Sequence, residues 1–379
     1  MARENLIHII IKLSPGGTEL KLLNLIKDTK ENFNHSVIIL TSVDEKFKED
    51  LLRNNIKFDE LRIKGIISLL GAIYNLKTKY SANQVDLIIG WLYHSNLFAI
   101  LFKRVISANA KIIWNIRSSM SSFKRAPFHR KFVIFISKFF LKFTDAICYN
   151  SEISMKEHKE YGFSHHKEAF IGNGVDLNKF RPINDAKEKI CNELNIDANN
   201  LVVGMCSRYH QVKNFPLLVN TVCKLLDEGY MINCLLCGKG LNKENKEIIS
   251  LLEKSGHRER FFLLGYRTDL PLIYSALDLH LLTSLSESSS NSVLEALSSG
   301  TMCVSTRVGT SDKLLDEKYV VESDNIEELV KVLKRIFDNE EQKTKSIEKV
   351  RNKIRNNFSI NAMNQKFIYF YKDIILERQ

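Results

Sequence analysis

The sequence predicts an α/β protein made of two doubly wound parallel sheets, one after the other in the chain. Three observations carry this. Short apolar runs of strand length alternate with stretches of helical periodicity, the pattern of parallel sheets covered on both faces. The alternation runs to about residue 172 and restarts at Leu201. The chain has 379 residues, more than the ~250–300 that one hydrophobic core usually serves.

The first half opens with an apolar strand, Leu6–Leu13, a tight turn Ser14-Pro15-Gly16-Gly17-Thr18, and a helix from Glu19 to about Asn32. Val37–Thr41, Leu87–Trp91, Lys111–Ile116, Ala146–Asn150 and Ala169–Ile171 read as further strands with helical stretches between them. A polar join from Asn173 to Ile183, punctuated by Gly174 and Pro182, separates the halves. Beyond it, Leu201–Cys206, Ile232–Cys237, Phe261–Leu264, His280–Thr283 and Met302–Thr306 read as strands. Phe215–Glu228, Asn242–Lys254, Leu270–Ala276, Ser292–Ser299 and Ile326–Asp338 read as helices. The expected division is a first domain over 1–175, a second over 176–360, and a C-terminal helix, 361–379, packing back on the first. Two such domains are expected to face each other across a cleft.

Composition narrows the class. Hydrophobic residues make up 44% and charged residues 26%, values that argue against global disorder. No apolar run approaches the ~20 residues of a spanning helix, and the start lacks a secretion-signal pattern. Most of the seven cysteines lie inside apolar runs, as buried thiols do in a reducing compartment. A cytoplasmic location is therefore expected. Cys234 and Cys237 have no companion pair to complete a zinc site. No D-x-D, H-E-x-x-H, G-x-S-x-G or G-x-G-x-x-G stands in the chain, which removes the usual markers of divalent-metal, serine-hydrolase and dinucleotide chemistry.

The net charge is +11, and it is unevenly placed. Residues 1–172 hold 26 Lys and Arg against 16 Asp and Glu; the remainder holds 29 against 28. The first domain thus expects an anionic partner, a membrane or a polyanion. No recognition-helix, zinc-finger or RNP signature supports nucleic acid. Residues 123–145 carry six Lys or Arg, one acid and seven Phe. Lys131, Lys138 and Lys142 are spaced to share one helix face. One reading is a helix lying on an anionic membrane through Lys124, Arg125, Arg130, Lys131, Lys138 and Lys142. The other is a buried helix with one solvated stripe.

Ligands of parallel sheets sit at the carboxyl ends of the strands. Arg208 and Lys213 follow one strand, a pair able to hold a diphosphate or simply to be solvated. Glu287 and Glu295 flank a serine-rich turn. Ser292-Val293-Leu294-Glu295 reads as a capping box; equally, the Ser292 and Val293 amides suit a phosphate and the two carboxylates suit sugar hydroxyls. Gly16 and Gly17 form a turn that a phosphate or sugar ring can approach. His94 and Arg117 follow strands in the first half and are expected to point toward the cleft.

Taken together these positions resemble the retaining glycosyltransferases of family 4, the group 1 type. The resemblance spans nearly the whole chain and is strongest from Ile171 to Leu314. It rests on Gly16-Gly17-Thr18-Glu19, on Trp91 to Asn96, on Trp114-Asn115-Ile116-Arg117, and on Ile171 to Asp176 with Phe180-Arg181-Pro182. In the second half it rests on Arg208 with Lys213-Asn214, on Cys237-Gly238-Lys239-Gly240, on Leu264-Gly265-Tyr266, and on Ser286-Glu287 through Asn291, Glu295-Ala296 and Gly300. Ser288 stands where the family often has glycine, so a different backbone path is expected there.

The resemblance implies the GT-B architecture of two Rossmann-like domains. It implies a hexose or N-acetylhexosamine moved, with retention, from a nucleotide diphosphate sugar, UDP favoured over GDP. The acceptor would be a lipid-linked or cell-surface glycan, an oligosaccharide of polysaccharide, lipopolysaccharide or capsule biosynthesis, met at the inner face of the membrane. Arg208 and Lys213 would neutralise the leaving diphosphate. Glu287 would hold the donor sugar and Glu295 the ribose. Gly17, Gly265, Tyr266, Asn291, Ser292 and Val293 would line the donor; Gly16, His94 and Arg117 would serve the acceptor side, with His94 catalytic. No metal or other cofactor is expected. A non-transferring GT-B enzyme, such as a nucleotide-sugar epimerase, and a basic nucleic-acid-binding protein are the alternatives.

Overall fold

The computed structural model describes residues 3–80, 84–123 and 127–377. In chain order the first elements are β1 (Glu4–Leu13), α1 (Gly17–Thr29), β2 (Phe33–Val43), α2 (Glu45–Arg53), β3 (Lys57–Glu60), α3 (Ile66–Tyr80), β4 (Leu87–Trp91) and α4 (Leu92–Ile106). They continue with β5 (Lys111–Ile116), α5 (Phe128–Phe140), β6 (Ala146–Tyr149), α6 (Glu152–Tyr161) and β7 (Glu168–Phe170). Next come α7 (Ala186–Leu194), β8 (Leu201–Cys206), α8 (Phe215–Asp227), β9 (Ile232–Cys237), α9 (Lys246–Lys254), β10 (Phe261–Gly265), α10 (Leu270–Ala276) and β11 (Leu279–Leu282). The last are α11 (Asn291–Ser298), β12 (Met302–Thr306), α12 (Ser311–Leu314), β13 (Val320–Val321), α13 (Ile326–Phe337), α14 (Glu340–Asn357) and α15 (Ile360–Leu376).

Two units result: residues 1–172 with 363–379, and residues 173–362. The sheet of the first runs β3-β2-β1-β4-β5-β6-β7, that of the second β10-β9-β8-β11-β12-β13, and the strand pairings are parallel. The alternating apolar runs produce this directly, because a strand buried on both faces needs no polar side. β3 and β13 went unread in the sequence. β3 is an edge strand, Lys-Phe-Asp-Glu, with one apolar side chain, and β13 has two residues; neither makes a hydrophobic period.

The first sheet is covered on both sides. On one side Leu22 and Ile26 of α1, with Phe367 and Tyr371 of α15, meet Leu6 and Ile10 of β1. On the other, Leu76 of α3, Phe102 of α4 and Ile134 of α5 meet Ile7, Ile9 and Ile88. The alternation along β1 is the two-residue period of a strand. His8 interrupts it, and its polarity is satisfied internally. Trp91 Nε1 donates to His8 Nδ1 at 3.2 Å, so His8 Nε2 carries the proton it gives to His35 Nδ1 at 2.9 Å. His35 Nε2 then donates to Thr29 Oγ1 at 3.0 Å, and Thr29 to Leu25 O at 2.6 Å. The one-way chain needs both imidazoles neutral. Burial drives His8 well below its ordinary pKa and His35 down to about 4.

The second unit has one continuous core. Its first residues are held by its last helices: Val175 N donates to Phe358 O at 2.9 Å and Ile360 N to Val175 O at 3.0 Å. This ladder is why the stretch from Asn173 belongs to the second unit.

Candidate functional site

In the second unit the loops after β8, β9, β10, β11 and β12, taken in that order, build the site. Backbone bonds lock the first three together: Ser207 N to Cys237 O at 2.8 Å, Gly238 N to Gly265 O at 2.7 Å, and Gly265 N to Leu241 O at 2.8 Å. Gly238 has φ 145°, and a Cβ there would overlap the Ser207 carbonyl. The loops after β8 and β9 can lie this close only because that residue is glycine. Arg208, which follows Ser207, is exposed, and Tyr266, which follows Gly265, is 77% exposed.

The fourth loop, after β11, carries the charge. Leu285 N donates to Val212 O at 2.8 Å, and the Thr283 hydroxyl is shared between Lys213 O at 3.0 Å and Asn214 O at 3.1 Å. These bonds set the short 3₁₀ turn Gln211–Lys213 against the loop. Lys213 Nζ there forms an ion pair with Glu287 Oε1, the two side chains 18% and 15% exposed. Ser284 Oγ donates to the same oxygen at 2.9 Å. Mostly shielded from water, the pair attracts more strongly than a surface pair. From the fifth loop, Gly309 (φ 58°) lies under it: a Cβ would stand 3.1 Å from Glu287 Cβ and from Ser288 O. Ser288 itself is absent from the positive-φ positions of the described residues, so the loop follows a path open to any L-residue.

The capping box is not formed. The N-cap of α11 is Ser290, whose hydroxyl accepts from Val293 N at 3.5 Å. Glu295 thus lies a full turn in, too far to reach the cap nitrogen, and accepts instead from Tyr274 OH at 3.1 Å. Asn291 opens the helix, its side-chain oxygen held by Asn173 Nδ2 at 2.8 Å, with Ser292 in the same first turn. Burial, then the Glu295 charge, pushes the Tyr274 phenol well above its usual range. Beneath lies His280, driven down to about 3 by burial and then by Lys213, and therefore neutral. Tyr274, Ser284 and Thr283 were not singled out as site residues from the sequence. Tyr274 sits in a helix whose apolar period marks it as core, and the others precede or follow motifs without a period of their own.

In the first unit Gly16 caps α1 in an extended conformation that any residue can adopt. A Cβ there would meet only the carboxylate tip of Glu19, folded over the turn, which a rotamer change moves aside. Gly17 is the first helical residue. Leu92, the first residue of α4, takes φ 70° directly after β4, and this sharp reversal sets His94 in the first turn of the helix, half-buried. Burial, then His129 and Arg130, lowers its pKa, so the ring is neutral at pH 7.

Two expectations are corrected. Arg117 does not project outward: it is buried, donates to Ile171 O at 3.1 Å, and lies over the Phe367 ring. It ties β5 to α15. Nor do Lys131, Lys138 and Lys142 share an outward face. Lys131 turns inward over Phe123 at 5.9 Å and Lys138 over Tyr161 at 4.7 Å, cation–π contacts that shield the amines. Lys142 lies beyond α5, exposed beside Phe143. Arg130 is half-buried, and Lys124 and Arg125 lie outside the described residues. Among the described residues no three His, Cys, Asp or Glu side chains gather as metal ligands, and no helix is long and apolar enough to cross a membrane.

Residues 15–179 match the profile described as Glycosyltransferase Family 4, and residues 186–353 that of Glycosyl transferases group 1. The chain belongs to this family of glycosyltransferase enzymes. Among curated relatives, the UDP-Gal:alpha-D-GlcNAc-diphosphoundecaprenol alpha-1,3-galactosyltransferase of Escherichia coli is 32% identical, over 62% of this chain and 62% of its own. The O-antigen biosynthesis glycosyltransferase WclY of Escherichia coli is 26% identical over 40% of each. The chain thus spans less than two thirds of the lengths of these relatives. Among solved structures, Anabaena HepE in complex with UDP and glucose superposes with a TM-score of 0.81 at 20% identity, covering 98% of this chain and all of that one. The fold is GT-B.

Proposed function

We propose that this glycosyltransferase moves a hexose or N-acetylhexosamine, with retention, from a nucleotide diphosphate sugar, UDP favoured over GDP, to a lipid-linked glycan. The observation that carries the reading is the shielded Lys213–Glu287 pair, in a unit that also carries Arg208 after β8 and Glu295, held by Tyr274, in the first turns of α11. The E. coli relative named for UDP-Gal and a diphosphoundecaprenol-linked GlcNAc supports the donor and acceptor classes.

On this reading the ion pair is the resting state. When the donor enters, Lys213 exchanges the carboxylate for the leaving diphosphate, with Arg208 as its second cation, and charge developing on the phosphate is neutralised. Glu287, released but still held by Ser284, accepts hydrogen bonds from the sugar hydroxyls. Glu295, oriented by Tyr274, accepts from the ribose. The amino end of α11 adds its dipole at Asn291, Ser292 and Val293. The glycosidic carbon–phosphate oxygen bond breaks, the bond to the acceptor oxygen forms on the same face, and the acceptor proton passes to the leaving phosphate. No protein nucleophile or metal is required. Gly16 and neutral His94 serve the acceptor side, His94 accepting a hydrogen bond from a hydroxyl. Arg117, being buried, positions β5 rather than touching substrate.

The test supplies radiolabelled UDP and GDP sugars with a polyprenyl-diphosphate-linked GlcNAc acceptor and reads the product anomer by NMR. An α-linked product from an α-linked donor supports the reading. An inverted product, or an altered free sugar formed without acceptor, overturns it.

A further inference from the structure

The outer face of α5 is not a basic stripe but an aromatic one. Phe128, Phe132, Phe135 and Phe139 follow one another at helical spacing, and each is between 49% and 83% exposed. They meet one another in pairs, Phe128 stacked on Phe132 and Phe135 edge-to-face with Phe139, while their faces stay open to solvent. α3 repeats the arrangement: Ile66, Ile67, Leu70 and Tyr74 share one exposed face, with Ile67 88% exposed. α4 packs between these two helices and shows Leu101 on its own outer side. Soluble surfaces seldom leave side chains of this size contiguous and bare.

The surrounding charge names the occupant. From Asp59 to Asp145 the chain has fourteen Lys and Arg against four carboxylates, Asp59, Glu60, Asp86 and Asp145. Glu60 pairs with Arg62, Asp59 with Lys79, and Asp145 with Lys103 and Lys111. α3, α4 and α5 each join one strand of a parallel sheet to the next, so they run in the same direction and end at one edge. Lys77, Arg104 and Lys142, all exposed, stand at those ends. A second copy of this chain would set basic rim against basic rim. An anionic bilayer satisfies both features at once, acyl chains meeting the aromatic and aliphatic ridges and headgroups meeting the bases.

We infer that the outer faces of α3 and α5 insert together into an anionic membrane. The inference deepens the lipid-linked acceptor reading but does not depend on it. Apolar burial supplies most of the attachment and the rim of bases selects anionic lipid. It follows that binding outlasts high salt, which adsorption through lysines alone would not.

The experiment is cosedimentation with vesicles of phosphatidylglycerol and phosphatidylcholine, at low salt and at about 0.5 M, where screening is nearly complete. The quadruple variant Phe128→Ser, Phe132→Ser, Phe135→Ser, Phe139→Ser is compared with the wild type, and circular dichroism verifies its fold. Wild-type binding that survives salt, with a loss of about tenfold or more in the variant, is expected. A Phe132→Trp variant should shift to the blue on vesicle addition and be quenched by brominated acyl chains. The native Trp91 and Trp114 are buried and give a constant background. Equal binding of variant and wild type, binding abolished by salt with an unshifted tryptophan, or a dimer that the substitutions dissociate while vesicles are ignored, would each overturn the inference. No readout uses a nucleotide sugar, so the membrane and transferase readings fail separately.

Discussion

The two units share a topology and differ in what they offer a partner. In the second, the strand-end loops are cross-tied by backbone bonds and hold a cation–carboxylate pair in shelter. In the first, the strand ends carry a glycine turn and a neutral histidine, while the outer helices display phenylalanine and isoleucine. One doubly wound plan thus serves a small charged ligand at its loops and an extended apolar surface on its helices. Function follows from side chains placed on the plan and not from the plan itself.

The sharpest break would come at Lys213 and Glu287. Lys213→Ala and Glu287→Gln should each lower turnover about a thousandfold, the scale of losing one preorganised charge from a transfer site, with folding retained by circular dichroism. Activity within a few fold of wild type would move the chemistry out of the second unit.

Next in size is Gly238→Ala, which forces a Cβ onto the Ser207 carbonyl at positive φ. A loss of about 3 kcal/mol in the denaturant-derived stability of the second unit is expected. A neutral result would mean the loops are not locked as described.

Acid should separate the units by stability. Buried neutral His8, His35 and His158 lie in the first, the latter two held down to about 4; among the shifted histidines, the second has His280, held down to about 3. The folded pKa values lie below the ordinary 6.5, so the unfolded chain takes the proton first. The stability is present above about pH 6.5 and is lost as pH falls toward those folded values. At pH 5 each group of pKa 4 costs about 2 kcal/mol. Hydrogen exchange between pH 7 and pH 5 should show first-unit amides losing protection before second-unit amides; the reverse order contradicts this.

The smallest effect is Tyr274→Phe. Removing the hydroxyl that holds Glu295 leaves the ring packing intact and costs about 1 kcal/mol. A severalfold rise in donor KM with nearly constant kcat marks Tyr274 as a positioning residue, whereas an unchanged KM reduces it to packing.

The sheets were legible because buried parallel strands write themselves as apolar runs, and only β3 and β13, too polar or too short, left no mark. Arg208, Lys213, Glu287 and Glu295 were legible as charged residues after strands. What joins them was not. Tyr274 meets Glu295 from twenty-one residues away in sequence, a contact no local pattern encodes. Helical spacing suggested a lysine face on α5, yet aromatic rings from neighbouring segments drew Lys131 and Lys138 inward. Arg117 was misread for a related reason, since its position after β5 could not show that α15 covers it.

The most direct test of the donor site is calorimetric titration of UDP and GDP into wild type and Lys213→Ala. Micromolar binding of UDP that weakens about a hundredfold in the variant is predicted, the loss of one charge-assisted contact to phosphate. Equal binding by both proteins, or no binding of either nucleotide to the wild type, would contradict a diphosphate held by Lys213.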